Sequence, residues 1–256
     1  LCERIGNLKD GMKKLIQIGY TLYSWLVICF LWLAGYLVLL VSTVGVKDKE
    51  SRYNSMERAF TKFAFWFLGV TIDTKGLENI PVHEPVIFVS NHQSFFDIKL
   101  SLAAIPRNFS FLSKEIIFKI PILGKYMRTS GHIGIRRSDE RNAYTTLNEV
   151  VRKLESGKSI VFFPEGTRSA NGELGHFKRG VSMVVLRSGK KVIPMAIVGS
   201  GGFLPKSSFL CNPENRNISF RFGKPLEFPK VEKEDRSLSK EVLTKIRGEV
   251  SKLLCN

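Results

Sequence analysis

Val86-Ile87-Phe88-Val89-Ser90-Asn91-His92-Gln93-Ser94-Phe95-Phe96-Asp97 is the stretch from which the rest of this chain can be placed. Its first four residues are a short, apolar, β-rich run, the pattern of a buried strand. Such a strand carries His92 to its carboxyl end, the edge at which open α/β sheets bind ligands. Asp97 follows within a turn. A carboxylate that accepts from one imidazole nitrogen fixes the tautomer and leaves the other nitrogen free to take a proton. With no Ser or Cys placed beside it as nucleophile, the pair suits activation of a substrate hydroxyl. The same residues have a competing use, because Ser94-x-x-Asp97 is spaced as a helix-capping box in which Asp97 serves backbone amides.

Downstream, strand and helix signals alternate. Gly76 to Pro81 reads as a turn-rich entry, and a helix through Phe96 to Ala104 is stopped by Pro106. Phe109 to Leu112 reads as a short strand. Lys114 to Gly124 has a helical pattern interrupted by Pro121, with Phe118, Ile120, Ile122 and Leu123 as an apolar surface. Ser138 is placed to cap a helix carrying Ala143, Leu147, Val150, Val151 and Leu154 on one face and ending at Gly157. Phe177 to Gly180 precedes a short helix closed by Gly189, and Val192 to Val198 is a further buried strand. Gly199 to Gly202 reads as a loop, Ile218 to Phe222 as an edge-type strand, and Leu238, Val242, Ile246, Val250 and Leu253 mark a C-terminal amphipathic helix. This order predicts an α/β domain over 71–256 with a central, largely parallel mixed sheet flanked by helices.

Residues 1–70 differ. From Leu15 to Val46 the chain holds 32 residues without a charge, more than the roughly 20 that span a bilayer as a helix. The run is too long for a signal peptide and lacks a small-residue cleavage site after it. Both flanks are basic, and Tyr20, Tyr23, Trp25, Trp32 and Tyr36 are spread along the run instead of gathering at its ends. Arg52 to Val70 follows with Met56, Phe60, Phe63 and Phe67 at helical spacing, Arg58 and Lys62 among them. A single span and a two-helix hairpin dipping into one leaflet both fit; either makes this segment a membrane anchor.

The whole chain has 39 Lys+Arg against 23 Asp+Glu, a formal net charge of +16. That excess predicts anionic partners. No helix-turn-helix, zinc-finger or ribonucleoprotein-type motif accompanies it, so the anion expected is lipid or phosphorylated substrate, not nucleic acid. Cys2, Cys29, Cys211 and Cys255 are scattered without metal-ligand spacing and read as reduced thiols, and no metal is expected. His83 reads as a surface-turn residue, His132 as replaceable and His176 as a loop residue.

A second apolar run, Ile160 to Phe163, leads into Pro164-Glu165-Gly166-Thr167-Arg168-Ser169. Taken with Asn91 to Asp97, Gly131 to Arg137 and Val192-Ile193-Pro194, this resembles the 1-acylglycerol-3-phosphate acyltransferases, the PlsC-like lysophosphatidic acid acyltransferases. In that family Asn-His-x-x-x-x-Asp, Gly-x-x-Phe-Ile-x-Arg, Glu-Gly-Thr-Arg-Ser and Ile-Pro blocks follow in this order. The stretch from Lys114-Glu115 through Ile120-Pro121 to Gly124 is also similar, and the resemblance covers about residues 70 to 225. Gly134 departs from it, standing where the family has an aromatic residue.

The resemblance implies transfer of a fatty acyl group from acyl-CoA or acyl carrier protein to the free hydroxyl of lysophosphatidic acid, giving phosphatidic acid, at a membrane and on its cytoplasmic side. No cofactor beyond the thioester donor is implied. His92 would be the base, oriented by Asp97, with no acyl-enzyme. Glu165, Gly166, Thr167 and Arg168 would build the acceptor site. An Arg offers phosphate a planar fork of donors; Arg168 is the first candidate, Arg137 the second, and Lys114 and Lys178 give weaker electrostatic support. Glu165 would hold an Arg or backbone groups in place, and the competing use of Arg168 is an ion pair with Glu165. Acylation of glycerol 3-phosphate or of another lysophospholipid is the neighbouring reading, and a basic lipid-binding protein without catalysis is the reading of a different class.

Overall fold

A computed structural model describes residues 2–135, 140–232 and 235–255. Seven strands form one sheet: β1 Thr71–Lys75, β2 Ile87–Ser90, β3 Phe109–Lys114, β4 Ile133–Ile135, β5 Ser159–Phe162, β6 Val192–Val198 and β7 Asn217–Phe222, in the order β1-β7-β6-β2-β5-β3-β4. All neighbours are parallel except β6 and β7, where Met195 pairs with Phe222. The carboxyl ends of β2, β3, β4, β5 and β6 therefore share one edge, and β2, buried on both faces, lies at its centre. The expected α/β architecture is present.

The pleat sends alternate side chains to two cores. Phe88, Val161, Ile193 and Met195 face one, with residues of the first two helices, α1 Cys2–Ser42 and α2 Lys49–Phe67, and of α3 Asp97–Ala104. Ile87, Val89, Ile160 and Phe162 face the other, under α6 Glu140–Glu155, α7 Gly180–Ser188 and α9 Arg236–Cys255. Between β3 and β4 run the short helices α4 Glu115–Phe118 and α5 Leu123–Thr129. Pro121 falls in their connection. Ser138, the expected cap of α6, lies outside the described residues.

Three expectations change. Ile218 to Phe222 is not an edge strand, since β7 lies between β1 and β6. Its alternation arises because Ile218, Phe220 and Phe222 are buried in the first core, while Arg221 on the other face donates to the Leu253 carbonyl at 2.7 Å. The edge on this side of the sheet is instead β1, whose polar sequence gave no strand signal. Gly199 to Gly202 is no open loop: Ser200–Phe203 is a helical turn, α8, entered through Gly199 at φ 92. A Cβ on Gly199 would fall 2.5 Å from the Asn217 carbonyl, so glycine is required there.

His132, read from the sequence as replaceable, lies in the interior. It is buried, its ring 3.8 Å from that of Phe111, and its Nε2 is 3.9 Å from Oε2 of the buried Glu57. Glu57 also pairs with Lys99 of α3. Burial alone would raise the Glu57 carboxyl, but Lys99 and then His132 hold it down at about 2. Burial pushes the His132 imidazole down, against the pull of Glu57. Both groups have folded values below their ordinary ones of 4.5 and 6.5, so the stability they contribute is present above those values and is lost as pH falls. The thermal midpoint should decline as pH drops from about 6.5 toward about 2. Glu57→Gln should lower the midpoint at neutral pH by roughly 5 °C or more, and flatten the decline below pH ~4.5. Calorimetry in detergent across this range decides; an unchanged slope in the variant would remove Glu57 as its source.

α1 lies along the α/β domain. Tyr20 donates to the Leu68 carbonyl at 2.8 Å, the Cys211 amide donates to Thr21 Oγ1 at 3.0 Å, and the Trp25 indole donates to the Phe209 carbonyl at 3.2 Å. Farther along, Tyr36 and Leu39 are buried in the first core. The opposite face exposes Leu15, Leu22, Leu26, Phe30, Leu33 and Val41, and α2 exposes Phe63, Trp66 and Phe67.

Candidate active site

His92 stands just past the end of β2, its Nδ1 2.7 Å from Asp97 Oδ2. A carboxylate only accepts, so Nδ1 carries the proton of this bond and Nε2 keeps its lone pair. The Asp97 side chain is wholly buried and that of His92 is 17% exposed. The same Oδ2 accepts from the amides of Gln93 at 2.7 Å and Ser94 at 2.8 Å, while Ser94 Oγ accepts from the Phe96 amide at 3.2 Å. The two sequence readings of Asp97 are thus both realised: one oxygen orients the imidazole and closes the turn that starts α3.

The mount below His92 is built from neighbouring strands. Asn91 Nδ2 donates to the Ile197 carbonyl and its Oδ1 accepts from the Ile197 amide, each at 2.8 Å, which pins the end of β2 to β6. Phe163, following β5, stacks on the His92 ring with centroids 4.4 Å apart. Neither residue was assigned a role from the sequence. A buried Asn closing an apolar strand was the available signal; nothing local marks Phe163 as the ring's neighbour.

Glu165 is buried, and its two oxygens go to backbone: Oε1 accepts from the His92 amide at 3.1 Å and Oε2 from the Gly175 amide at 3.0 Å. It clamps backbone and makes no ion pair with Arg168. The Ser169 amide donates to the His92 carbonyl at 2.7 Å, and Gln93 Nε2 to the Gly172 carbonyl at 3.0 Å, so the segment after β5 folds over the His92 turn. Arg247 of α9 holds its far side by donating to the carbonyls of Leu174 and Gly175.

Gly166 turns at φ 71 with the Lys178 side chain laid against it, so Lys178 is brought to the Glu165–Arg168 segment. Arg168 is half-buried and has no hydrogen bond or ion pair among the described residues, and Thr167 is exposed. Lys114 is exposed at the end of β3, on the edge shared by β2 and β5. Arg137 lies outside the described residues. At Gly134 the missing aromatic side chain is replaced from elsewhere: a Cβ there would meet the Phe118 ring at 3.2 Å. His83 and His176 are exposed, the latter directly after Gly175.

A base with a free nitrogen, an uncommitted guanidinium near it and nearby lysines can deprotonate a hydroxyl on a molecule that also carries a phosphate. Comparison with known proteins points the same way. Residues 71–198 match the family described as Acyltransferase. A chloroplastic 1-acyl-sn-glycerol-3-phosphate acyltransferase of Arabidopsis thaliana is 42% identical over 138 residues, 54% of this chain and 38% of that protein. One of Brassica napus is 35% identical over 191 residues, 71% of this chain and 55% of that protein. The chain thus spans about half the length, or less, of these plant relatives. The crystal structure of the 1-acyl-sn-glycerophosphate (LPA) acyltransferase PlsC from Thermotoga maritima superposes with a TM-score of 0.77 at 27% identity, covering 94% of this chain and 97% of that one. With the family matched over half of its length and the fold shared nearly end to end, the chain belongs to the acyltransferase family.

Proposed function

We propose that the protein transfers a fatty acyl group from a thioester, acyl-CoA or acyl carrier protein, to the free hydroxyl of lysophosphatidic acid, giving phosphatidic acid. The observation that carries this is the His92–Asp97 pair, held with Nε2 unengaged at the centre of the sheet's carboxyl edge. Nε2 takes the hydroxyl proton as the oxygen attacks the thioester carbonyl, and Asp97 stabilises the imidazolium that forms. The tetrahedral adduct collapses with loss of thiolate, which recovers the proton from His92. Arg168, with Lys178 and Lys114, receives the acceptor phosphate. Arg137 is a further candidate for the same phosphate.

Residues 1–70 serve as the membrane anchor and 71–256 as the catalytic domain in this reading, and the anchor lies in one leaflet instead of spanning. The contacts of α1 run from Tyr20 to Leu39, about 29 Å along a helix, which is the thickness of the hydrocarbon itself. A span over that length would drag the α/β domain into lipid; a helix lying with its outer face in the interface would not. The net charge of +16 suits the anionic lipid of a cytoplasmic leaflet.

The test is transfer of radiolabelled acyl groups by the purified protein in detergent, offered lysophosphatidic acid, glycerol 3-phosphate and a zwitterionic lysophospholipid in turn. Labelled phosphatidic acid is expected from the first. Arg168→Ala should raise KM for lysophosphatidic acid roughly tenfold or more, the loss of one charge-assisted contact, and leave KM for the thioester nearly unchanged. Unchanged acceptor kinetics would remove Arg168 from the site, and transfer to none of the acceptors would leave a lipid-binding protein.

A further inference from the structure

The connection between α4 and α5 is strained, and it displays apolar side chains to solvent. Ile122 has φ 63, the one non-glycine residue with positive φ among the described residues, and it is β-branched. Its ψ of −62 and the bond from the Leu123 amide to the Pro121 carbonyl, 2.6 Å, make a γ-turn of the rare, strained hand. Such strain persists only where the surroundings dictate it.

Here they do. A Cβ on Gly124 would collide with the Phe118 carbonyl, so the two backbones are in direct contact. Arg128 Nη1 donates to that same carbonyl at 2.7 Å. The Phe118 ring sits over Gly134, in the room left by the aromatic side chain absent there. Tyr126 of α5 meets Trp32 of α1 with ring centroids 6.2 Å apart. The turn is therefore fixed to the sheet beneath it and to the helix beside it.

What it displays is Ile116, Ile120 and Ile122, which are 62%, 48% and 49% exposed. Lys114, Lys119 and Lys125 are exposed around them, with no ion pair among the described residues. An apolar apex ringed by lysines is the composition of a segment that enters the headgroup boundary of an anionic leaflet. The packing that fixes the turn leaves these isoleucines facing solvent.

We infer that Ile116–Ile122 is a membrane-inserting wedge, a third contact with lipid beside α1 and α2, seated at the lip of the active site where β3 ends. This rests on the reading of the protein as a membrane-bound acyltransferase. The occupant is the anionic leaflet. The three apical isoleucines fit hydrocarbon, whereas a soluble acidic carrier protein would be met by the lysines alone.

The experiment places a photo-crosslinking amino acid at position 120 of the full chain and, as controls, at Leu26 on the exposed face of α1 and at Val82. Val82 is exposed and precedes β2, at the opposite edge of the sheet. With vesicles of phosphatidylglycerol and phosphatidylethanolamine, positions 120 and 26 should crosslink phospholipid and position 82 should not. Lipid at 26 without lipid at 120 overturns the wedge, as does crosslinking of added acyl carrier protein in place of lipid at 120. In parallel, Ile116→Ser with Ile120→Ser should weaken vesicle binding about tenfold or more, from the apolar area returned to water. Its transfer to lysophosphatidic acid in detergent micelles should stay within about twofold of the wild type, which a merely structural defect would not allow. Absence of transfer by the wild type would instead count against the acyltransferase reading, and the crosslinks would still decide the wedge.

Discussion

His92→Ala is expected to lower the rate of acyl transfer by about a thousandfold, the middle of the range for loss of a positioned general base. The fold should survive it. Among the described residues the His92 side chain makes one hydrogen bond and one ring stack, and after its removal Asp97 Oδ2 keeps the amides of Gln93 and Ser94. Glu165 holds the backbone of residue 92 and not its ring, so the turn stays in place. The variant should therefore bind vesicles and lysophosphatidic acid as the parent does, with the loss in kcat and little change in KM. Retention of more than about a tenth of the activity would exclude His92 as the base, whatever the geometry.

Asp97→Asn should cost as much in rate and, unlike the first change, cost stability as well. An Asn side chain must turn its carbonyl oxygen toward the two amides that now share Oδ2, or leave both unpaired. If it does so, its NH2 lies at the position of Oδ1, which is buried and has no hydrogen-bond partner among the described residues. A buried donor without an acceptor costs about 1–3 kcal/mol. The charge that stabilises the imidazolium is gone in either orientation. If the NH2 turns toward Nδ1 instead, the imidazole is pushed into the tautomer with its proton on Nε2, which cannot act as a base. The expected result is a fall in kcat of about three orders of magnitude with a lowered thermal midpoint. Full activity in Asp97→Asn would mean that Asp97 serves only to cap α3.

How much of this was legible depends on where each partner lies in the chain. The His92–Asp97 contact was legible because both members fall within one turn, and the capping alternative could not be rejected because the same oxygen, Asp97 Oδ2, also accepts from two backbone amides. Glu165 was legible as a site residue but not in its action, since its partners lie 73 residues upstream and 10 downstream. Only the fold joins them. Phe163 carried no local sign of stacking on His92.

Among the strands, those buried on both faces announced themselves by apolar runs, whereas Thr71–Lys75, half solvated at the sheet edge, did not. Three glycines concealed the turn at Ser200–Phe203, which tertiary contact at Gly199 imposes against local propensity. The uncharged run of residues 15–46 was plain as a helix. Thr21, Ser24 and Thr43, all buried, were the signs in it that one face packs against protein.

That shared face has a bearing on how the chain is made. α1 and α2 precede the α/β domain in the chain, so the residues that cover their inner side, among them Phe96 and Phe203, are made after them. Until then the inner face of α1, with Tyr20, Trp25, Tyr36 and Leu39, is uncovered. With the segment read as a membrane anchor, delivery before the α/β domain closes would let lipid stand in for the missing half of the core, to be displaced from one side of the helix once the sheet is complete.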